Sequence, residues 1–148
     1  MDIYTGGFPS SSNSINQGPN PFVTNLRQDV MINTNFFTAR WTGRYMQLGL
    51  MTIPVNSEVG LDMLINSDQF YYIEQGTALV VMGMSRESLN FRTQAQSGFS
   101  IFVPSGTWHN ILNIGNNNLK MFLTIAPPFL PYNTNFERSE DWVPAKYH

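Results

Sequence analysis

His109 is the side chain in this sequence best suited to proton or metal chemistry near neutral pH, and its setting is specific. Gly98, Pro104, Gly106, His109 and Asn113 read as a strand, a tight Pro104-Ser105-Gly106 turn and a second strand that presents the imidazole. Period-two geometry puts His109, Ile111 and Asn113 on one face of that second strand, with Trp108 and Asn110 opposite. The other histidine is His148, and there is no cysteine, which removes thiolate metal sites, iron–sulfur clusters, disulfides and cysteine nucleophiles. Ser105 belongs to the turn and is not aimed at His109, which argues against Ser-His-Asp catalysis. Neither a Gly-x4-Gly-Lys phosphate loop nor a dinucleotide fingerprint occurs.

The elements that must position His109 are short and β-rich. Candidate strands are Phe36 to Thr42, Tyr45 to Ile53, Gly60 to Ile65, Gln69 to Glu74, Thr77 to Met82, Leu89 to Ala95, Phe99 to Val103, Thr107 to Leu112 and Leu119 to Ile125. They are separated by turn residues at Pro54 to Glu58, Gln75-Gly76, Gly83 to Ser88, Gln96 to Gly98, Pro104 to Gly106 and Ile114 to Asn118. Strands this close together, with no helical periodicity between them, predict an all-β antiparallel sandwich or barrel. The prolines of Pro127-Pro128-Phe129-Leu130-Pro131 cannot donate to a ladder, so the chain should leave the barrel there, and residues 131–148 should run over its surface. A short helical turn is expected around Ser139 to Trp142.

A chain of 148 residues with 42% hydrophobic content suits one core, here residues 26–130. Residues 1–25 are rich in Gly, Pro, Ser and Asn and cannot bury enough apolar area to order alone. They read as an arm, either flexible or ordered on a partner subunit by Ile3, Tyr4, Phe8, Ile15 and Phe22. Only 12% of residues are charged, and the formal net charge is −2 with Lys and Arg scattered, so no basic field exists to hold nucleic acid. No apolar run approaches the roughly 20 residues that cross a bilayer, and the first residues lack a secretory pattern, so the expectation is cytoplasmic synthesis and no membrane partner. A weakly charged surface rich in Asn and aromatics opposes association less than a charged one does.

The spacing from Gly98 to Asn113 matches in full the second motif of the cupin superfamily, Gly-x5-Pro-x-Gly-x2-His-x3-Asn. Upstream, residues 54–70 resemble the first motif of a small bacterial cupin group that reads Pro-Gly-x-x-x-Gly-Leu-Glu-x-His-x-x-x-x-Gln-Phe, and Gly76 stands where that motif closes. Ile73-Glu74-Gln75-Gly76, Met82-Gly83 and Ala126-Pro127-Pro128 also read as this group. The resemblance implies a single cupin β-barrel of the jelly-roll type, with the equivalent of His109 as a metal ligand pointing into it. The family's four ligand positions fall on Asp62, Leu64, Gln69 and His109, so a branched alkyl chain stands where the family has histidine.

That departure directs the functional expectation. Asp62, Gln69 and His109 offer one charged and two neutral donors, and the two-histidine, one-carboxylate triad of non-haem iron oxygenases cannot be assembled. Leu64, Ile111 and Phe122 would line the same cavity with hydrocarbon. The expectation is therefore a degenerate cupin without a cofactor and without an assigned catalytic residue. It would act by self-association, as a homodimer or larger assembly through edge strands and the arm, or by binding a small polar ligand. The alternative is a metal-dependent enzyme, isomerase-, epimerase- or dioxygenase-like, with a weakly held Mn, Fe, Ni or Zn ion at Asp62, Gln69 and His109.

Overall fold

The computed structural model describes residues 15–142. The described residues form nine strands: β1 (Phe37–Thr42), β2 (Gln47–Ile53), β3 (Asp68–Gln75), β4 (Thr77–Gly83), β5 (Phe91–Gln96), β6 (Ser100–Val103), β7 (Trp108–Asn113), β8 (Leu119–Ala126) and β9 (Asn135–Phe136). Their pairings are antiparallel. One sheet runs β6-β3-β8-β2-β1-β9 and the other β5-β4-β7, and the two face each other as a jelly roll.

The side-chain alternation along each strand decides what lies between the sheets. On β8 the positions Leu119, Met121, Leu123 and Ile125 are fully buried, while Phe122 and Thr124 are only partly covered. The inner face of β3 carries Gln69, Tyr71 and Ile73, and that of β2 carries Gln47, Met51 and Ile53. Each large apolar side chain so buried contributes about 1.5–3 kcal/mol, so these rows hold the sheets together. Gly49 belongs to the inner row of β2 because any Cβ there would collide with the ring of Phe37 across the β1–β2 pair.

Four local features differ from the sequence reading. Gly60 to Ile65, expected as a strand, is irregular: Gly60 has a φ of 106°, which breaks the pleat, and only isolated bridges form, Glu58 with Leu112 and Asp62 with His109. A seven-residue helix, α1 (Leu26–Ile32), precedes the strands, too short for its periodicity to register. It is capped by Asn25, whose Oδ1 accepts from the Gln28 amide at 3.1 Å, and it buries Val30 while packing across β2, β3 and β8 on the outer face of the larger sheet. Residues 15–25 of the expected arm lie on the chain's own barrel: the Gln17 amide donates to Arg40 O at 2.9 Å, and Asn16 Nδ2 donates to Thr42 Oγ1 at 2.7 Å. Ile3, Tyr4 and Phe8 fall outside the described residues.

The chain does leave the barrel at Pro127, as its prolines require, but it then returns. β9 pairs with β1, and a 3-10 turn at Ser139–Asp141, where a helical turn is expected, delivers Trp142 to the aromatic cluster of Phe36, Phe37 and Phe136. Part of the segment expected on the surface is therefore core.

Candidate functional site

The residues from Ser57 to Leu64 run beside β7 as an irregular segment bridged to the smaller sheet. Asn113 N donates to Ser57 O and Val59 N to Ile111 O, both at 2.9 Å, and Gly106 N donates to Leu64 O at 2.8 Å. Between them, Asp62 and His109 exchange both backbone hydrogen bonds at 2.9 Å. Such a directly opposed pair points its two side chains to the same face, with Cβ atoms about 5 Å apart. The backbone thus places the Asp62 carboxylate beside the His109 imidazole, and both are 1% exposed.

The opposite sheet completes the cluster. Gln69 and Tyr71, two residues apart on β3, face inward, and Gln69 Nε2 donates to Tyr71 Oη at 3.2 Å. The Tyr71 and His109 rings lie 6.5 Å apart and span the two sheets. Asp62, Gln69 and His109 therefore come together as expected, with Leu64 and Ile111 buried beside them. Phe122 does not: it faces outward from β8, stacking on Tyr72 at 5.4 Å and packing against Phe70 at 5.9 Å. Strand alternation gives the reason, since Phe122 shares its side of β8 with Lys120 and Thr124. Tyr71 was missed although it shares a face with Gln69, and the same period-two rule would have found it. His148 lies outside the described residues.

Three local bonds set the electrostatics. His109 Nδ1 lies 3.0 Å from Thr107 O, and because a carbonyl can only accept, Nδ1 carries a proton. Asp62 Oδ1 accepts from the Met63 amide at 2.8 Å. Burial pushes the Tyr71 phenol well above the usual tyrosine range, the Asp62 carboxylate adds to this, and the Gln69 amide opposes it. Tyr71 is accordingly a neutral hydroxyl at physiological pH. Gln69 Oε1 is buried and has no hydrogen-bond partner among the described residues.

A cleft opens at the side of the barrel. The free edges of β5 and β6 bound a cavity of about 240 Å³ lined by Val80, Met82, Phe91, Thr93, Ala95 and the β6 residues from Phe99 to Phe102. Met82 pairs with His109 across β4 and β7, and Ile101 pairs with Tyr71 across β6 and β3. The inner wall of the cleft is thus made of the immediate neighbours of the polar cluster, one from each sheet. Neither Met82 nor the cleft could be seen in the sequence, because both depend on which strands remain unpaired.

Comparison with known proteins agrees with this architecture. The family described as Cupin domain matches residues 49–125. The chain is 43% identical over 129 residues to the uncharacterized protein YrkC of Bacillus subtilis, spanning 87% of this chain and 69% of that one. It is 29% identical over 107 residues to the uncharacterized protein L612 of Acanthamoeba polyphaga mimivirus, spanning 72% of this chain and 65% of that one. The crystal structure of BH2720 from Bacillus halodurans superposes with a TM-score of 0.84 at 38% identity, covering 85% of this chain and 96% of the other. That of TT1209 from Thermus thermophilus, with a TM-score of 0.61 at 17% identity over 71% of this chain and 96% of the other, shares the fold.

Proposed function

The chain belongs to the cupin family, and from that premise we propose that its barrel is a non-catalytic binding module that takes a small ligand into its interior without a resident metal ion. The observation that carries this reading is the donor set itself. Family resemblance implies a metal ligand at His109, and a proton on Nδ1 is compatible with ligation through Nε2. The remaining positions do not fit. Leu64 supplies hydrocarbon, Gln69 supplies a neutral amide, and among the described residues no three His, Cys, Asp or Glu side chains come together as metal ligands. First-row divalent ions are retained by several imidazole or carboxylate donors, and one of each with a carboxamide is a poor match.

What the interior offers instead is a buried polar cluster inside an apolar wall, the usual composition of a small-molecule site. Asp62, Tyr71, Gln69 and His109 provide donors and acceptors, while Leu64, Ile111 and Met82 provide contact area. Among the described residues no helix is long and apolar enough to cross a membrane.

Elemental analysis of protein purified without chelators tests the reading. The expected result is far less than one equivalent of Mn, Fe, Ni or Zn per chain. A full equivalent that disappears in His109→Ala would overturn it in favour of a metal-dependent enzyme.

A further inference from the structure

The edges of the two sheets differ in how they are protected. An edge strand exposes unpaired backbone groups, which folded proteins shield by keeping the strand short, charging it, breaking it with proline or a bulge, or covering it. Among the described residues, β7 is flanked by residues 57–64, β9 is two residues long, and β6 has four and stops before Pro104. β5 has none of these devices. It runs six residues in unbroken register with β4, every residue of it but Ala95 is exposed, and Arg92 is its single charge.

We propose that β5 pairs with β5 of a second copy of this chain, antiparallel about a two-fold axis at Thr93, and that the Phe91 ring of each copy seats at the cleft of the other. Such a contact requires one strand to supply both halves of the fit. Phe91, Thr93 and Ala95 share the face of β5 that lines the cleft. With the two Thr93 residues opposite each other, Phe91 of one copy stands across from Ala95 of the second copy, a large side chain against a small one. The cleft that Ala95 lines holds about 240 Å³, and its floor of Val80, Met82 and Ile101 is buried and apolar. An apolar cavity of about 150 Å³ is enough for benzene, so a phenyl ring fits. The same register sets Arg92 across from Gln94 of the second copy and opposes no like charges.

The area agrees with a specific pair. Phe91, Phe99 and Phe102 stand around the cleft 53%, 45% and 68% exposed, which at about 200 Å² per ring leaves roughly 330 Å² in water. The other exposed residues of β5 add about as much, so the pair buries roughly 1,300 Å² in total, within the range of about 1,200–2,000 Å² for stable interfaces. A formal net charge of −2 opposes such an approach weakly. The pairing is independent of what the barrel interior holds.

The chain has no cysteine, so one introduced thiol reads the register. Thr93→Cys in the full chain should form a covalent dimer under mild oxidation, because directly opposed antiparallel residues have Cα atoms about 4.5–5.5 Å apart, within disulfide reach. Gln94→Cys should not, since its two copies lie two residues out of step and beyond the limit of about 7 Å. Light scattering of the unaltered chain at about 100 μM should give twice the monomer mass, as an interface of this size permits. Thr93→Lys, which sets two ammonium groups at the axis, should weaken the pair at least about tenfold with circular dichroism unchanged, whereas Ile32→Lys, exposed on α1, should leave it intact. A monomer at that concentration, a cross-link at Gln94 in preference to Thr93, or a dimer that Thr93→Lys and Ile32→Lys affect equally would each overturn the inference. Slow amide exchange along β5 in such a monomer would assign the edge to another segment of the same chain.

Discussion

Gln47 and Gln69 flank the same residue, Ile125 of β8, one from β2 and the other from β3, and both turn inward at one end of the barrel. They are chemically identical and similarly hidden, yet their surroundings treat them in opposite ways. Gln47 Nε2 donates to Thr42 Oγ1 at 3.2 Å and to Leu130 O at 3.1 Å, and its Oε1 accepts from Leu130 N at 3.2 Å. The segment that leaves β8 engages both ends of that amide. Gln69 has one donor committed to Tyr71 and an acceptor with no partner among the described residues. A buried amide that the fold satisfies at both ends is a fastener, and one whose acceptor stays open does less to hold the fold.

The comparison predicts unequal losses. Gln47→Leu strands the backbone N–H and C=O of Leu130, so denaturant unfolding should show a loss of about 3 kcal/mol. Gln69→Leu removes an amide whose acceptor is unsatisfied and should cost less than about 1 kcal/mol or stabilise the chain. Equal losses at the two positions would erase the distinction.

A smaller effect probes the hydroxyl that orients Gln69. Tyr71 is protonated in the folded barrel, and its raised pKa means that stability is fully present below the ordinary tyrosine value near 10 and falls as pH climbs beyond it, because only the unfolded chain releases the proton. The decline contributed by this residue approaches about 1.4 kcal/mol per pH unit above that point. Tyr71→Phe should lose about 1 kcal/mol at neutral pH and show a correspondingly flatter alkaline slope in denaturation midpoints measured from pH 8 to 11. An unchanged slope would mean that Tyr71 is not held neutral as described.

The fold was largely legible because strand-forming runs and turn residues alternate so regularly, and because the Gly98 to Asn113 spacing admits few other readings. The same alternation, applied one strand further, would have corrected the error at Phe122: it keeps company with Lys120, which could not be left unpaired between the sheets. Lys120 Nζ in fact turns to the Asn33 carbonyl at 2.6 Å, and burial lowers its pKa. What could not be read were consequences of long-range closure. Trp142 joins Phe36 and Phe37 from more than a hundred residues away, Gly60 departs from the pleat its neighbours favour, and the cleft exists because β5 and β6 end their sheets without pairing.

The most direct test of the account is a crystal structure, with anomalous scattering, of protein purified without chelators. It should show no fully occupied ion among Asp62, Gln69 and His109. Density instead for a fully occupied ion held by Asp62, Gln69 and His109 would contradict it.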